Sequence, residues 1–252
     1  MTPPPPEHDA PHTSWFFRLC RTLCRWIIQA VYRARAENVG CVPARGGLLI
    51  AANHQSYIDP PMVGGFVRQR ECHFVARAGL FKFGAFGRLL VAVNCIPIRE
   101  EQGDAGAIKE VIRRLSRGEA VVIFPEGSRC YDGAMTEFKR GVALLVKRAK
   151  VPVVPAAVEG CFDAWPRGRR PRVLGARVVV RYADPIPYDE LMKDGPDAAL
   201  RRLQLQIDAM RLELRGELRR QSGGRYPAPG PGDRPYFPSG SDPSPASPPA
   251  GQ

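Results

Sequence analysis

A histidine and an aspartate placed five residues apart are the first candidates for acid–base chemistry. His54 follows the apolar run Leu48–Ala52, and Asp59 stands immediately before two prolines. The run predicts a buried strand, and the residues after it predict a turn into a helix. On the first turn of that helix, the Asp59 carboxylate would reach the imidazole and hold the tautomer that a general base for a hydroxyl needs. Taken alone, this spacing is more typical of a structural histidine.

Ser56 lies between these two residues and leaves open a hydrolase with a triad of serine, histidine and aspartate. Such enzymes commonly expose the serine on a strained bend between strand and helix, marked by the motif G-x-S-x-G. The sequence contains no such motif. The hydrolase is therefore an alternative without its usual signal.

A second group of residues is suited to binding an anion. The motif P-E-G-S-R at 125–129 follows the apolar run at 120–124, so backbone N–H groups and a guanidinium would meet at a strand end. Arginine binds phosphate through two parallel hydrogen bonds, which makes phosphate the expected ligand. Arg99, after the short apolar element I-P-I at 96–98, is a further candidate. Taken alone, the motif at 125–129 also fits an ordinary turn with a surface arginine.

The order of the motifs along the chain adds a further signal. N-H-x-x-x-x-D, I-P-I-R, F-P-E-G-S-R and the proline-bracketed run V-P-V-V-P at 151–155 follow one another. In type and order they resemble the glycerolipid acyltransferase family, the PlsC-like lysophosphatidic acid acyltransferases, over residues 37–190. The first and third motifs together are highly specific, so the resemblance outweighs the separate structural interpretations.

The resemblance implies a role for each motif. His54 would deprotonate the hydroxyl of the acceptor, Asp59 would orient the imidazole, and the V-P-V-V-P strand would support the site. The expected ligands of the acceptor phosphate are Arg99, Glu126, Gly127, Ser128 and Arg129. Two positions depart from the family pattern: Ser128 stands where threonine is commoner, and Cys130 where serine is frequent. Both departures bear on the acceptor preference rather than on the reaction type.

The reaction implied by the resemblance is direct acyl transfer. A fatty acyl group would pass from acyl-CoA or acyl-carrier protein to 1-acyl-glycerol-3-phosphate, giving phosphatidic acid for phospholipid synthesis. No acyl-enzyme, metal or bound cofactor is required, because a base and an anion site supply the necessary groups. The alternatives are another lysolipid or glycerol-3-phosphate as acceptor, a lipid hydrolase, and a catalytically inactive membrane-binding homologue.

The elements that must position these residues alternate along the chain. Strands are predicted at 48–52, 72–76, 94–98, 120–124, 151–158 and 177–182, and helices at 104–116, 138–149 and 197–220. This alternation predicts an α/β domain at 37–221 with a central mixed, mostly parallel sheet flanked by helices. The last helix either packs on this domain or forms a dimer seam.

The ends of the chain differ from its middle in composition. Of 252 residues, 44% are apolar, which is enough for a globular core, whereas proline concentrates in residues 1–14 and 222–252. Both ends are predicted to be disordered. The seven cysteines form no C-x-x-C pair. This argues against a disulfide framework or a zinc site and favours a reducing, cytoplasmic setting.

Residues 15–36 contain five arginines and no acidic residue. At helical spacing the arginines gather on one side and apolar residues on the other, as in helices that lie in a membrane interface. The net charge of +12 agrees with an anionic partner. The residues expected to contact the membrane are Trp15, Phe16, Arg18, Arg21, Arg25 and Trp26. Packing of this helix on the domain is the alternative, and both interpretations can hold in part.

These features predict peripheral or monotopic association with the cytoplasmic face of the cell membrane. No run of eighteen apolar residues and no secretory signal occurs. No nucleic acid partner is expected, since no recognition motif accompanies the arginines. A second basic cluster suggests either a solvated face or contact with donor phosphates, an acidic carrier protein or anionic lipid. It comprises Arg167, Arg169, Arg170, Arg172, Arg177 and Arg181.

Overall fold

The described part of the chain forms one sheet of seven strands with helices on both faces. A computed structural model describes residues 15–98, 105–172 and 175–236. The strands are β1 (Arg35–Glu37), β2 (Leu48–Ala52), β3 (Cys72–Arg77), β4 (Cys95–Ile98), β5 (Ala120–Ile123), β6 (Val153–Glu159) and β7 (Val179–Tyr182). The helices are α1 (Trp15–Tyr32), α2 (Asp59–Val63), α3 (Gly84–Ala92), α4 (Ala105–Ser116), α5 (Arg140–Ala149), α6 (Cys161–Ala164), α7 (Tyr188–Leu191) and α8 (Pro196–Gln221).

The sheet is mixed and mostly parallel, which confirms the predicted fold class. Its strand order is β1-β7-β6-β2-β5-β3-β4. The five strands from β6 to β4 run parallel to one another, whereas β7 pairs antiparallel with β6 and β1 pairs parallel with β7. Each strand predicted from the sequence is present, with ends that differ by at most two residues.

The central strand β2 is fully buried because both of its faces are covered. Leu48 packs in a cluster with Tyr32 of α1 and Met62 of α2, and Leu49 packs in a second cluster with Leu203 of α8. A continuous apolar run is typical of parallel strands that are buried on both faces. The packing of α8 in the second cluster confirms that this helix belongs to the domain core.

The connections place a crevice between the carboxyl ends of β2 and β5. The chain moves toward one edge of the sheet from β2 through α2 to β3 and through α3 to β4. It then returns through α4 to β5 and through α5 to β6. Since parallel crossovers are right-handed, the two pairs of helices lie on opposite faces. The neighbouring strands β2 and β5 therefore flank a topological switch point, where open α/β sheets bind their ligands.

The basic N-terminal segment is a helix followed by an edge strand, rather than one helix to residue 36. α1 ends at Tyr32, because Arg33 adopts a left-handed φ of 46°. The carbonyl of Tyr32 accepts a 3.2 Å hydrogen bond from Val178 N–H, and Arg35 N–H donates to the carbonyl of Val178 over 3.2 Å. The predicted boundary between residues 36 and 37 is therefore wrong, since β1 begins two residues earlier.

Residues 222–236 are ordered, contrary to the prediction that disorder begins at residue 222. The Tyr226 side chain is buried, and its hydroxyl donates to the carbonyl of Gly160. The fully buried Arg211 donates to the carbonyl of Arg234 over 3.0 Å, and Arg215 Nε lies 2.8 Å from Asp233 Oδ1. Arginines of α8 thus bind a segment whose composition alone indicates disorder. The predictions for residues 1–14 and 237–252 lie outside the described residues.

Candidate active site

The two predicted motifs meet in the crevice between β2 and β5, where they are joined through the backbone of His54. The His54 N–H donates to Glu126 Oε1 over 2.7 Å. The His54 carbonyl accepts a 2.8 Å hydrogen bond from Cys130 N–H. Residues that follow β5 therefore fix the loop that follows β2. We call His54, Gln55, Ser56, Asp59 and Glu126 the His54 corner.

Asp59 and His54 form the predicted pair. The distance from His54 Nδ1 to Asp59 Oδ2 is 2.8 Å, and the Asp59 side chain is fully buried. The same oxygen accepts hydrogen bonds from the N–H groups of Gln55 (2.5 Å) and Ser56 (2.6 Å). Asp59 is the first residue of α2, and the two prolines after it occupy the first turn, where no backbone donor is needed. The sequence thus folds the carboxylate back onto the imidazole.

The imidazole is held on two sides and open on a third. The ring stacks on Phe124, with centroids 4.1 Å apart and an angle of 19° between the planes. The carboxylate at Nδ1 favours the tautomer in which that nitrogen carries the proton. Within the described residues, Nε2 has no hydrogen-bond partner, and 19% of the side chain is exposed. Nε2 is therefore free to accept a proton from a ligand in the crevice.

The Asp59 carboxylate also has a thiol neighbour. Asp59 Oδ1 is buried and has no hydrogen bond among the described residues, and the Cys161 side chain lies beside the carboxylate. Burial raises the pKa of the Cys161 thiol, and the Asp59 charge raises it further. Cys161 therefore stays protonated next to the carboxylate.

Glu126 is buried and hydrogen-bonded within the protein. Only 3% of the residue is exposed, and its second oxygen, Oε2, accepts hydrogen bonds from Thr136 N–H (2.8 Å) and from Thr136 Oγ1 (2.6 Å). Burial raises the pKa of Glu126 to about 7, against the lowering effect of these donors and of the His54 N–H. Both carboxylate oxygens are used within the protein, and the predicted contact of Glu126 with phosphate stays a prediction. Glu126 ties the two motifs together.

Gly127 and Arg129 form the wall of the crevice that is suited to an anion. Gly127 is exposed and has a left-handed φ of 71°, which glycine adopts without strain. The Arg129 guanidinium lies 3.5 Å from the centroid of the Tyr57 ring, and its buried Nη1 has no hydrogen-bond partner in the described part of the chain. The aliphatic part of Lys139 lies over Gly127, where an added Cβ would be 3.2 Å from Lys139 Cε. We call Gly127, Ser128, Arg129 and Lys139 the anion pocket.

Neither alternative nucleophile fits the structure. Ser56 is buried, and its hydroxyl donates to the carbonyl of Trp165 over 2.8 Å, so the triad that a hydrolase would need is not formed. Cys130 is 1% exposed, and burial together with the nearby Glu126 carboxylate raises the pKa of its thiol. Both residues therefore support the backbone of the site.

The remaining basic residues separate into different environments. Arg99 lies outside the described residues, so its predicted contact with the phosphate stays a prediction. In the second basic cluster, Arg181 forms ion pairs with Glu37, Glu213 and Glu217, at distances from 2.7 to 3.1 Å. Arg167 instead extends toward the anion pocket, where its Nη1 lies 3.4 Å from the carbonyl of Arg129. The cluster is therefore not one continuous surface.

The sequence motifs did not predict the roles of several other residues of the site. Gln55 donates from Nε2 to the buried Glu159 over 2.9 Å, and Thr136 is the main partner of Glu126. Phe124 and Tyr57 lie within the two motifs, but the sequence does not indicate that Phe124 stacks on His54 and Tyr57 on Arg129. These contacts depend on how the ends of β2 and β5 face each other. Lys139 reaches the pocket from a position twelve residues after Gly127.

α1 packs on the domain through a face that contains both apolar residues and an arginine, whereas the sequence predicted one basic and one apolar side. Phe17, Ile28 and Tyr32 are buried, and Arg21 Nη1 donates to the carbonyls of Val67 and Arg70 over 3.3 Å each. Burial lowers the pKa of Arg21. This side chain therefore docks the helix on the domain, and its predicted contact with a membrane stays a prediction.

The outer face of α1 remains apolar and exposed. Trp15, Leu23, Trp26 and Ile27 are 74%, 52%, 66% and 59% exposed. Phe16 is half-buried against the Trp15 ring, Arg18 is exposed and Arg25 is half-buried. Within the residues that the structure describes, no helix is long and apolar enough to cross a membrane. In the same part of the chain, no group of three or more histidine, cysteine, aspartate or glutamate side chains is arranged to hold a metal ion.

Comparisons with known proteins agree with this geometry. The family model described as Acyltransferase matches residues 33–159. The 1-acyl-sn-glycerol-3-phosphate acyltransferase of Bacillus subtilis is 28% identical over 162 residues, which cover 63% of this chain and 80% of the relative. The alpha form of the enzyme from Ovis aries is 30% identical over 183 residues, 70% of this chain. This chain spans less than two thirds of the Ovis aries relative, namely 63% of its length.

A solved structure has the same architecture. The 1-acyl-sn-glycerophosphate acyltransferase PlsC from Thermotoga maritima superimposes with a TM-score of 0.60 at 25% sequence identity. The superposition covers 75% of this chain and 78% of that protein. The residues that the family model matches, 33–159, include β2 and β5, the strands that lead to the His54 corner and the anion pocket.

Proposed function

Since the chain belongs to the acyltransferase family, we propose that it acylates the free hydroxyl of 1-acyl-glycerol-3-phosphate and forms phosphatidic acid. The observation that carries the proposal is the His54–Asp59 pair at 2.8 Å, beside an arginine whose buried Nη1 has no partner within residues 15–98, 105–172 and 175–236. A base and an anion site in one crevice suit an acceptor that has a hydroxyl and a phosphate. The names of the relatives from Bacillus subtilis and Ovis aries support the same acceptor.

In the proposed reaction, His54 Nε2 takes the proton of the acceptor hydroxyl as the oxygen attacks the thioester carbonyl. The carbon–sulfur bond then breaks, and the imidazolium returns the proton to the leaving thiolate. Asp59 holds the imidazole in position and stabilises its charged form. Arg129 and the backbone of Gly127 hold the phosphate, with Arg99 and Ser128 as further proposed ligands. The acyl donor is acyl-CoA or acyl-carrier protein, and this route uses no resident cofactor.

The decisive experiment identifies products by mass spectrometry. Purified protein is incubated with acyl-CoA or acyl-carrier protein and with one of four acceptors: 1-acyl-glycerol-3-phosphate, lysophosphatidylcholine, monoacylglycerol or glycerol-3-phosphate. We expect phosphatidic acid as the main product, formed at least about a hundredfold more slowly by the His54→Ala control. Faster acylation of another acceptor would replace the proposed substrate. Release of free fatty acid without an acceptor would support a hydrolase, and no product from any pair would support an inactive homologue.

The outer face of α1 supports a second part of the proposal, namely association with an anionic membrane at the cytoplasmic face. Its exposed tryptophans and aliphatic side chains would enter the interface, while the exposed Arg18 and the half-buried Arg25 would face lipid headgroups. Because the acceptor is a lipid, a protein held at this surface meets it directly. The association is peripheral or monotopic.

Flotation with vesicles of phosphatidylglycerol and phosphatidylcholine tests this association. Replacing Trp26 and Ile27 by Gln should release most of the protein, because apolar burial contributes about 25 cal/mol per Å². Replacing Arg18 by Gln should reduce the salt dependence, since each cation near the surface contributes about 1 kcal/mol. The matched control is Leu205→Gln, at a 43% exposed apolar position on α8. Equal flotation of all variants would refute the membrane role of α1.

A further inference from the structure

Arg167 lies outside every motif that the sequence indicated as catalytic, yet its guanidinium borders the anion pocket. It stacks over the Tyr131 ring, 4.3 Å from the centroid, and its Nη1 is 3.4 Å from the carbonyl of Arg129. Arg129 stacks in the same manner over Tyr57, at 3.5 Å. Two arginines from different loops are thus each stacked on a tyrosine, and the guanidinium of one contacts the backbone of the other.

The loop that carries Arg167 is attached to the His54 corner. The carbonyl of Trp165 accepts a hydrogen bond from the Ser56 hydroxyl, and the centroids of the Trp165 and Tyr57 rings are 5.4 Å apart. The loop also closes on itself, since Trp165 Nε1 donates to the carbonyl of Arg169 over 3.0 Å. Arg167 is therefore placed by the same contacts that place the catalytic loop.

Neither guanidinium is neutralised. Among the described residues, no carboxylate lies within the 4.0 Å of an ion pair from Arg129 or from Arg167, in contrast to Arg181, which has three such partners. Cations that no carboxylate neutralises attract an anion that enters the pocket. Stacking on a tyrosine face also leaves the N–H groups at the edge of each guanidinium free for hydrogen bonds.

We propose that Arg167 is a second ligand of the acceptor phosphate and sets the preference for a phosphomonoester. A phosphomonoester carries close to two negative charges near neutral pH and offers three terminal oxygens. Two guanidinium groups match that charge, whereas a phosphodiester headgroup has one charge and two free oxygens. The inference rests on the proposed acyl transfer to 1-acyl-glycerol-3-phosphate and assigns to Arg167 a part of the selection among acceptors.

The test compares Arg167→Gln with Arg170→Gln, an exposed arginine of the same loop. For 1-acyl-glycerol-3-phosphate, Arg167→Gln should raise the acceptor KM roughly tenfold or more, because a charge-assisted hydrogen bond is lost. The kcat and the donor KM should stay close to those of wild type. For lysophosphatidylcholine the change should be much smaller, so the ratio of kcat/KM between the two acceptors should fall. Arg170→Gln should leave the acceptor KM, the kcat, the donor KM and the ratio of kcat/KM between the two acceptors unchanged.

The tyrosine supplies a second variant that does not alter the charge. Tyr131→Leu removes the ring that positions Arg167 and should give a weaker form of the same acceptor defect, which Tyr131→Phe should rescue. Equal kinetics for Arg167→Gln and Arg170→Gln would overturn the proposal. A raised donor KM alone would also overturn it, because Arg167 would then serve the thioester carrier.

A binding measurement separates this inference from the proposed reaction. Titration calorimetry of 1-acyl-glycerol-3-phosphate into the His54→Ala protein should show a Kd that rises roughly tenfold when Arg167→Gln is added. This result would support the phosphate subsite even if wild type acylated none of the acceptors, an outcome that defeats only the proposed function. An unchanged Kd would refute the subsite even in an active enzyme.

Discussion

The His54 corner and the anion pocket lie side by side at the ends of β2 and β5, yet their polar groups are in opposite states. In the corner, Asp59 Oδ2 accepts three hydrogen bonds and Glu126 accepts three more, from backbone and side-chain donors. In the pocket, Arg129 Nη1 is buried and has no hydrogen-bond partner among the described residues. Six hydrogen bonds hold the corner before any ligand arrives, although Asp59 Oδ1 has none within the same residues, whereas the pocket presents a donor that a ligand can satisfy.

The difference separates positioning from binding. Buried polar groups cost free energy when they are unpaired, so the six hydrogen bonds of the corner keep it in one geometry. That geometry presents His54 Nε2 to the crevice without reorganisation. An unpaired buried donor has the opposite property, since it gains most when an anion enters. Substitutions of His54 and Asp59 should therefore change kcat, whereas substitutions in the pocket should change the acceptor KM.

The largest effect is expected from His54→Ala. Loss of a general base typically slows the chemical step by about two to four decades, so kcat should fall by that factor. The acceptor Kd, measured by calorimetry, should stay close to that of wild type because the pocket is intact. A loss of less than tenfold in kcat would show that the corner does not supply the base.

Asp59→Asn should be the next most damaging change. The substituted amide has no charge and turns one donor toward groups that are themselves donors, which costs about 1.5–3 kcal/mol for each charged hydrogen bond lost. We expect kcat to fall by about a hundredfold, with little change in acceptor KM. Thermal melting serves as the control, since a protein that remains folded but slow indicates lost orientation. A raised acceptor KM at normal kcat would place Asp59 with the pocket instead.

Arg129→Lys tests the other side of the comparison. Lysine keeps the charge but loses the planar fork and the stacking on Tyr57. We expect an acceptor KM raised by about tenfold, with kcat within about twofold of wild type. The defect should shrink for monoacylglycerol, which has no phosphate. A fall in kcat with an unchanged acceptor KM would mean that the two regions are not functionally distinct.

Glu126→Gln should give the smallest effect, and it concerns stability rather than turnover. The pKa of Glu126 is raised from 4.5 to about 7 in the folded protein, so the folded state holds this proton more tightly than the unfolded chain. This contribution to stability is present below pH 4.5 and is lost as the pH rises to about 7. Its slope is at most about 1.4 kcal/mol per pH unit.

Denaturant unfolding of wild type and Glu126→Gln at several pH values measures that slope. The variant should lack the decline that Glu126 causes between pH 5 and pH 7. It should also be less stable than wild type at low pH, because the amide cannot accept from every donor that surrounds the carboxylate. Parallel curves for the two proteins would show that Glu126 titrates as an ordinary carboxylate.

The sequence predicted the strands and the chemistry better than it predicted the partners of each side chain. β2 and β5 follow from short apolar runs, and the motifs after them carry the pair at 54 and 59 and the arginine at 129. The role of Glu126 was missed because a carboxylate in a motif does not reveal its burial. That burial depends on Thr136, ten residues away, and on the backbone of a neighbouring strand end.

The ends of the chain were harder to predict for a related reason. Proline and glycine indicate disorder after residue 221, but Arg211 and Arg215 of α8 need acceptors for their buried guanidinium groups and obtain them from residues 232–234. Similarly, Arg21 lies in a basic amphipathic sequence that is typical of a membrane contact, but its side chain donates hydrogen bonds to the domain. Long-range partners of this kind leave no local pattern in the sequence.

The passage from α1 to the sheet consists of only two residues, Arg33 and Ala34. With Tyr32 and Arg35 both bonded to Val178, the helix has no slack with which to rotate or swing away from the domain. Whatever surface holds the outer face of α1 thereby sets the height and tilt of the crevice above it. α1 would therefore orient the domain on that surface and not merely attach it. A lipid held in the same surface would reach His54 from one direction.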